Sequence, residues 1–331
     1  MTQQMEWGLL VVIYLYTAGI SAGLFAISGL ATYLGGGRYR RLARLGALLA
    51  PWPIMLGLAM LVFDLGRPLH FWLLFTTLQY TSPMSIGSWL LTLFVVIALA
   101  YLVVWLPRPL RNLVRLPATW SDLTALRRWQ PLDERLVRRG RGVLAAVGFP
   151  IALGVGMYTG VLLGAIPARP FWNTPMVAQL FLFSALSTGV AFLLLVAALI
   201  GRWVDREALR HERHLLISVD AVLIVLEIFL IIPFFLHQSL NTWSAAASLQ
   251  LVLGGPYTAP FWGGVIVVGL LAPLAIEGYE LFPLILKEGA LKYSRLLGII
   301  SSLLVLVGGF FLRYVFVYAG QASHLLPVIA R

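Results

Sequence analysis

The sequence has no cysteine in its 331 residues and few charged residues of either sign. The lack of cysteine excludes disulfides, thiolate metal sites and any iron–sulfur cluster bound by this protein alone. Charged residues make up only 11% of the sequence, whereas about a quarter of a soluble domain is charged. Hydrophobic residues make up 60%, and the mean hydropathy is +0.90. This composition predicts a polytopic membrane protein.

Lysine is almost absent, so the net charge of +11 comes from arginine together with Lys287 and Lys292. In a soluble protein this charge would suggest nucleic acid. In a membrane protein it marks cytoplasmic loops, and we expect lipid rather than nucleic acid as the partner of these residues. The first residues, MTQQMEW, also contain no lysine or arginine. A cleaved signal peptide is therefore not expected.

Long apolar runs predict the fold class. A helix needs about 20 apolar residues to cross a bilayer, and eight such runs occur. They lie roughly at 7–34, 46–66, 84–106, 142–166, 176–201, 214–237, 260–286 and 295–318. None alternates polar and apolar residues as a barrel strand would. Because a backbone in lipid must satisfy its own hydrogen bonds, the runs predict an all-α integral membrane protein with eight transmembrane helices, here called spans 1 to 8.

The cationic residues are concentrated in the connections after spans 1, 3, 5 and 7. The positive-inside rule places these connections in the cytoplasm, and both termini on the outer, periplasmic side of a prokaryotic inner membrane. The longest connection, 107–141, contains the segment WSDLTALRRW. Ser121 would cap a short helix there. The simplest interpretation of this connection is a loop that lies on anionic lipid.

Short motifs raise the possibility of an internal repeat. GISAG in span 1 matches ALSTG in span 5, and spans 2 and 6 each run into a proline and then a histidine. Two four-helix bundles would fit. Spans 1–3 and the basic loop would occupy 1–141, span 4 at 142–166 would complete the first bundle, and spans 5–8 at 167–331 would form the second. Chance use of small packing residues explains the match almost as well.

Ionisable residues collect near the predicted outer face. FDLGRPLHFW, at the end of span 2, places Asp64, Arg67 and His70 three residues apart, near one side of a helical turn. Tyr158 lies near the outer end of span 4, and Arg313 lies late in span 8. Ionisable groups in a bilayer are costly and are usually functional. The alternatives are a structural Asp64–Arg67 ion pair and, for Tyr158, an aromatic residue of the membrane interface.

Carboxyl groups form a second set, nearer the inner face and the midplane. Asp220 and Glu227 are seven residues apart on span 6, which places them on one helix face. Glu277 and Glu280 lie on the inner half of span 7. A carboxyl at this depth is expected to be protonated or paired. The pattern predicts a proton path from the cytoplasm, and the alternative is a set of hydrogen-bonded carboxyls that only hold the helices together.

The histidines argue against haem, because no two of them lie on facing helices at mid-membrane depth. A bis-histidine haem b therefore has little support. Since cysteine is also absent, we expect no redox metal in this protein and no metal site. Any electron chemistry would then depend on a partner that brings the electrons.

Several segments together resemble a known family. DLGRPLHFW, SPMSIGSW, YTGVLLGAIPARPFWNTPMVAQLFLFSALSTG and GGFFLRYVFVYAGQ are similar to the NrfD/polysulfide-reductase membrane-subunit (PsrC-like) family over nearly the whole sequence. The resemblance implies an integral subunit without haem or iron–sulfur clusters of its own. Such a subunit exchanges electrons between membrane quinone, menaquinone or ubiquinone, and an iron–sulfur subunit docked outside. That partner usually serves a molybdopterin catalytic subunit, or sometimes a multihaem cytochrome.

The resemblance also implies that the first bundle is the quinone-binding one, with the quinone near the outer face and a span-4 tyrosine beside the headgroup. Here that tyrosine is Tyr158. Some relatives offer asparagine or histidine from helix 1, where this sequence has Tyr14, Thr17 and Ser21. The expected quinone-binding residues are Tyr158, Asp64, Arg67, His70, Thr17 and Ser21. The expected proton-transfer residues are Asp220, Glu227, Glu277 and Glu280, unless protons exchange locally at the outer face.

Two rival functions remain open at this point. A secondary transporter would also place polar groups on spans 6 and 7, but it should show broken helices with polar groups that converge at the midplane. A membrane anchor without quinone chemistry would need neither Tyr158 nor Asp64. A transporter would purify without redox subunits, and the anchor would keep its turnover after either residue is changed.

Overall fold

The computed structural model describes residues 7–64, 70, 79, 81–107, 110, 115–116, 130–131, 133–200, 206–285 and 294–325. Eight helices among them are long and apolar enough to cross a membrane. Spans 1 to 8 are, in order, Leu9–Tyr33, Arg40–Asp64, Pro83–Trp105, Glu134–Gly164, Met176–Ile200, Glu212–Leu240, Pro260–Pro283 and Arg295–Ala322. Within the described ranges the only strands are Arg115–Leu116 and Gln130–Pro131, which form one short antiparallel pair. The all-α, eight-span prediction is confirmed.

Spans 2, 4 and 6 begin earlier than the apolar runs predict. Span 2 consists of helices Arg40–Leu49 and Pro51–Asp64, and the helix that contains span 6 starts at Arg206. Span 4 begins at Glu134, where the Asp133 side chain accepts a hydrogen bond from the backbone N–H of residue 135. These first turns are rich in arginine, so they continue the helix without adding to an apolar run. The short helix predicted in WSDLTALRRW lies outside the described residues.

The connection between spans 6 and 7 contains a helix that the sequence did not suggest. Trp243–Leu253 has 11 residues, too few to cross a bilayer. Its first turn is capped by Thr242, whose hydroxyl accepts a hydrogen bond from the backbone N–H of Ala245 at 3.2 Å. Trp243 is 81% exposed. This helix lies at the membrane end that also holds the described parts of both termini.

Span 7 begins as a π-helix over Pro260–Leu271 and continues as an α-helix over Ala272–Ile285. It packs against span 8 where Gly269 meets Gly308, so closely that a Cβ on Gly308 would lie 2.0 Å from Cα of Gly269. π-Helical turns are rare and are found mostly at functional sites.

Span 1 is the centre of the packing, with 83% of its most apolar window buried. It contacts spans 2, 4, 5 and 8. In the rest of the bundle, span 5 packs on spans 6 and 8, and span 7 packs on the same two spans. Spans 1 and 5 cross at the two motifs that suggested a repeat, since a Cβ on Gly189 would lie 2.6 Å from Cα of Gly23. Small residues are what a close helix crossing in a membrane requires. Packing therefore explains the motifs, and the repeat stays a prediction.

The spans alternate in direction, which gives the bundle two distinct ends. We call them the terminal end, where span 1 begins and span 8 ends, and the arginine-rich end, where span 1 ends and span 8 begins. The sequence predicts that the arginine-rich end faces the cytoplasm. The side of the membrane on which each end lies stays a prediction.

Candidate functional site

Tyr158 lies on span 4 towards the terminal end and is 8% exposed. Its ring packs directly on Gly87 of span 3, where an added Cβ would lie 1.7 Å from Cζ and 1.8 Å from the hydroxyl oxygen. Only glycine leaves room for the phenol in this position. Tyr14 of span 1 is 2% exposed and is close enough to interact electrostatically with Tyr158. Spans 1, 3 and 4 thus bring two buried phenols to one region.

Asp64 is the last residue of span 2 and is exposed. A Cβ on Gly8 would lie 3.7 Å from its Oδ1, so the carboxylate sits beside the first turn of span 1. The unpaired N–H groups of a helix N-terminus attract a negative charge, which is a structural reason for an acid here. His70 is also exposed. Arg67 lies outside the described residues, so its pairing with Asp64 stays a prediction.

Thr17 and Ser21 lie deeper, about 12 and 18 Å along span 1 from its first residue. Thr17 donates its hydroxyl proton to the carbonyl of Ile13 at 2.8 Å, and Ser21 donates to the carbonyl of Ala50 at 2.5 Å. Because a hydroxyl has one proton, each can offer a further ligand only its lone pairs in this arrangement. The hydroxyl of Thr17 also fills the space above Gly57 of span 2. Both side chains hold spans 1 and 2 together.

A clamp at the terminal end was missed by the sequence reasoning. Trp7 stacks on Trp172 with ring centroids 5.3 Å apart. Gln321 receives a hydrogen bond from the backbone N–H of Trp7 at 2.6 Å and donates one to its carbonyl at 3.0 Å. Arg169 donates to the carbonyl of Ser323 at 2.9 Å. The clamp fastens the start of span 1, the connection between spans 4 and 5, and the end of span 8 to one another.

The predicted proton-transfer residues lie close together within spans 5 to 8, which we call the second half of the protein. Spans 1 to 4 are the first half. Ser187 donates to Oδ1 of Asp220 at 2.7 Å, and Ser301 donates to Oε1 of Glu277 at 2.9 Å. Asp220 and Glu277, 0% and 1% exposed, lie close enough to interact with each other. Two buried carboxyls side by side repel each other when both are charged, so a single proton between them would stabilise the pair.

The remaining carboxyl oxygens of this group also indicate that these carboxyls carry protons. Oδ2 of Asp220, Oε2 of Glu277 and Oε2 of Glu280 are buried without a hydrogen-bond partner in the part of the protein that the structure describes. Oε1 of Glu280 accepts a hydrogen bond from the backbone N–H of Ser294 at 3.3 Å. Ser294 directly precedes span 8, so Glu280 lies nearest to the arginine-rich end. Buried oxygens without donors are costly when charged, which favours their protonation.

Glu227 lies close to Arg313 in the structure. From its position along span 8 alone, Arg313 was expected near the terminal end. Arg313 is 0% exposed and donates to the hydroxyl of Ser184 and to the carbonyl of Gly309 at 3.0 Å. Glu227 lies near the same serine and near Arg313. A Cβ on Gly19 would lie 3.1 Å from Nη2 of Arg313. The guanidinium thus lies against span 1, where the two halves of the protein meet.

A cavity of about 10 Å³ separates the two groups. The serine that binds Asp220 and the serine that binds Arg313 both line it, together with Glu227 and Thr188. This volume is about that of one water molecule. The polar groups therefore follow one another across the second half of the protein. From the arginine-rich end the order is Glu280, Glu277, Asp220, Ser187, the cavity, Ser184 with Glu227, and Arg313.

Within the described ranges, no three side chains of the metal-binding types His, Cys, Asp and Glu are grouped so that they could hold a metal ion. Instead, Asp220 and Glu277 accept hydrogen bonds from the hydroxyls of Ser187 and Ser301, and Glu280 accepts one from the backbone N–H of Ser294. The site thus has the groups to bind a neutral ligand through a phenol at one place and to exchange protons at another.

Comparison with known proteins links the sequence to one family. The family model described as "Polysulphide reductase, NrfD" matches residues 1–324. "Protein NrfD" of Escherichia coli is 32% identical over 97% of this protein and 96% of its own length. "Protein NrfD homolog" of Haemophilus influenzae is 30% identical, with the same coverage. The C subunit of the polysulfide reductase of Wolinella succinogenes is 32% identical over 95% of this protein and 94% of its own length.

Proposed function

The protein belongs to the polysulphide reductase NrfD family, and from this membership we propose that it is the quinone-reactive membrane subunit of a multisubunit oxidoreductase. It exchanges electrons between membrane quinone or quinol and an iron–sulfur subunit docked at the terminal end. A full-length relative that is named as one subunit of a polysulfide reductase supports a role inside a larger complex. The sequence has no cysteine to bind a cluster, so a partner subunit brings the electrons.

The packing of Tyr158 on Gly87 is the observation that carries this proposal. It holds a phenol, a neutral hydrogen-bond donor, among apolar helices near one membrane end. Such a donor in an apolar setting suits the carbonyl oxygen of a quinone ring. Exposed Asp64 lies at the same end, and the exposed side chain of His70 follows it in the sequence. Quinone reduction needs both features, because it takes up two protons with its two electrons.

Each residue then has a proposed role. Tyr158 donates a hydrogen bond to the ring carbonyl, while Asp64 and His70 exchange protons at the rim. Arg67 holds Asp64 ionised. Thr17 and Ser21 fix the wall that spans 1 and 2 form, and each would bind a carbonyl only after its proton leaves the backbone oxygen that it now contacts.

The row of carboxyls is proposed to move protons towards the junction of the two halves. Glu280 takes up a proton near the arginine-rich end, and the Asp220–Glu277 pair holds it, since a proton relieves the repulsion between two adjacent buried carboxyls. Glu227 and Arg313 end the row beside span 1. In the competing account the carboxyls only join helices, and the protons of the quinone reaction exchange at the terminal end.

The test is quinone turnover by the purified complex with Tyr158→Phe or Asp64→Asn. Tyr33→Phe and Asp133→Asn are matched controls, because both residues lie at the arginine-rich end. Assembly is checked by copurification of the partner subunits. A soluble dye that exchanges electrons directly with the partner reports on the partner alone.

We expect Tyr158→Phe to lower quinone turnover about a hundredfold, the usual loss for one well-placed donor, while dye activity and assembly persist. Asp64→Asn should lower turnover less, because His70 can still exchange protons. Unchanged turnover in both variants would support a purely structural anchor. Purification of the protein without any redox subunit would support a transporter.

A further inference from the structure

Two adjoining cavities open at the arginine-rich end, away from Tyr158. The larger has a volume of about 730 Å³ and is lined mainly by arginines and by Trp105. The smaller has a volume of about 430 Å³ and is lined mainly by apolar side chains of spans 2, 5 and 6. Arg41, Arg44 and Glu212 line both cavities, so the two are neighbours.

The larger cavity is strongly cationic, because five arginines line it against two glutamates. Arg141 is held in place by its neighbours: its Nε donates to the carbonyl of Val104 at 3.0 Å, and its guanidinium lies 4.4 Å from the ring centroid of Trp105. Arginine is the side chain best suited to phosphate, because its planar group can donate two parallel hydrogen bonds. The cavity therefore favours a phosphate group over a neutral or cationic ligand.

The arginines of span 2 lie on a helix that packs tightly against span 1. Ser28 of span 1 donates to the carbonyl of Ala43 at 2.5 Å, and a Cβ on Gly46 would lie 2.7 Å from the Cβ of Ser28. This contact buries one face of Arg40–Leu49 against span 1 and leaves Arg41 and Arg44 exposed. Their positions are thus fixed before any ligand binds.

The smaller cavity continues from these arginines along apolar side chains. Leu45 and Leu48 of span 2 line it, together with Ala197 and Ile200 of span 5 and Leu216 of span 6. A soluble anion would use only the arginines, and a neutral lipid would use only the apolar groove. A molecule with a phosphate at one end and a hydrocarbon tail at the other uses both.

We propose that the two cavities bind one anionic phospholipid. Its phosphate lies between Arg41 and Arg44, its headgroup in the larger cavity and an acyl tail along the smaller one. Basic pockets between transmembrane helices bind such headgroups. The lipid would join spans 2, 5 and 6 at the arginine-rich end, where the two halves of the protein meet.

The test is native mass spectrometry of the purified, delipidated complex titrated with cardiolipin, phosphatidylglycerol or phosphatidylcholine. The arginine variant is Arg41→Gln/Arg44→Gln. Its matched control is Arg135→Gln/Arg138→Gln, which removes the same charge at the same membrane end from exposed residues outside both cavities. Leu48→Trp fills the apolar cavity without changing charge. Glycerol phosphate is the probe for a soluble anion.

An arginine near an anionic lipid gives roughly a fivefold preference, so we expect the Arg41/Arg44 variant to weaken phosphatidylglycerol and cardiolipin binding about 10- to 30-fold. Leu48→Trp should weaken the binding of both lipids. Binding by the Arg135/Arg138 control should stay within about twofold of wild type. Equal losses in the control would show nonspecific attraction and overturn the proposal. Equal affinity for phosphatidylcholine, or glycerol phosphate binding as strong as phosphatidylglycerol binding, would overturn it as well.

Discussion

The two halves of the protein are equally apolar in sequence but differ in what they bury. Among the described residues of spans 1 to 4, no acidic residue and no arginine is buried, and the buried polar side-chain groups are hydroxyls, phenols and the indole N–H of Trp105. Among those of spans 5 to 8, six ionisable residues are buried. They are Glu212, Asp220, Glu227, Glu277, Glu280 and Arg313.

The difference separates two kinds of chemistry. A buried charge within a membrane span costs about 2.5 kcal/mol or more, and such residues usually mark ion or proton pathways. The first half has no such group among its described residues and offers a neutral donor, Tyr158, which suits a neutral ring. The second half offers four buried carboxyls that can carry protons. Arg313 touches the first half at Gly19, so the two kinds of chemistry meet at one contact.

We expect the largest effect on stability from Arg313→Gln, which removes the buried cation of the second half. Ser184 and the carbonyl of Gly309 would lose their buried donor and Glu227 would lose its nearby cation, and removing one partner from a buried charged network costs about 3–5 kcal/mol. We expect a lower yield of assembled complex and a lower thermal midpoint. The double variant Arg313→Gln/Glu227→Gln should recover most of the loss, because it removes both charges. A single variant as stable as Arg295→Gln, a change at an exposed arginine, would show that the pair is not formed.

A smaller effect, confined to the first half, is expected from Gly87→Ala. The new methyl would lie 1.7 Å from Cζ of Tyr158, so the phenol must move. A displacement of about 1 Å can lower a rate about a hundredfold, and we expect a loss of that order in quinone turnover. Gly154→Ala is the control on the same helix as the tyrosine, because its methyl would meet only Leu90 at 3.7 Å. Equal quinone turnover in the two variants would show that Tyr158 is not part of the quinone site.

The smallest effect compares two adjacent serines of span 8. Ser301 donates to Glu277, whereas Ser302 donates to the carbonyl of Gly298 in its own helix. A lost hydrogen bond to a buried carboxyl is worth about 1.5–3 kcal/mol when the carboxyl is charged and about 1 kcal/mol when it is neutral. We therefore expect Ser301→Ala to slow quinone turnover severalfold through the row of carboxyls, and Ser302→Ala to leave it near wild type. Identical rates would make these carboxyls structural.

Apolar runs predicted the number of helices, because length and hydropathy are local properties of the sequence. They did not predict where spans 2, 4 and 6 begin, since arginine-rich turns extend a helix without being apolar. The helix Trp243–Leu253 was missed for a related reason: it is too short to read as a span. The π-helix of span 7 was also missed, because length and hydropathy do not distinguish it from an α-helix. Its Gly269 packs on Gly308, which lies far away in sequence.

The sequence predicted most of the residues of the site, but it did not predict which of them lie next to each other. Sequence depth found the four carboxyls, because acids in apolar runs are conspicuous. It separated Arg313 from Glu227, since the two lie on different helices and only packing brings them to Ser184. The Trp7–Trp172 stack and Gln321 carried no signal of their own, although PFWN and YAGQ stood within the motifs that marked the family.

The division between the halves is tested most directly by recording quinone turnover and membrane charge movement together in proteoliposomes that contain the complex. The variants are Tyr158→Phe and Glu277→Gln. We predict that Tyr158→Phe weakens apparent quinone affinity and lowers both signals in proportion. Glu277→Gln should leave quinone affinity unchanged but remove the charge movement and slow turnover. Wild-type charge movement in Glu277→Gln, or unchanged quinone turnover in Tyr158→Phe, would contradict this division.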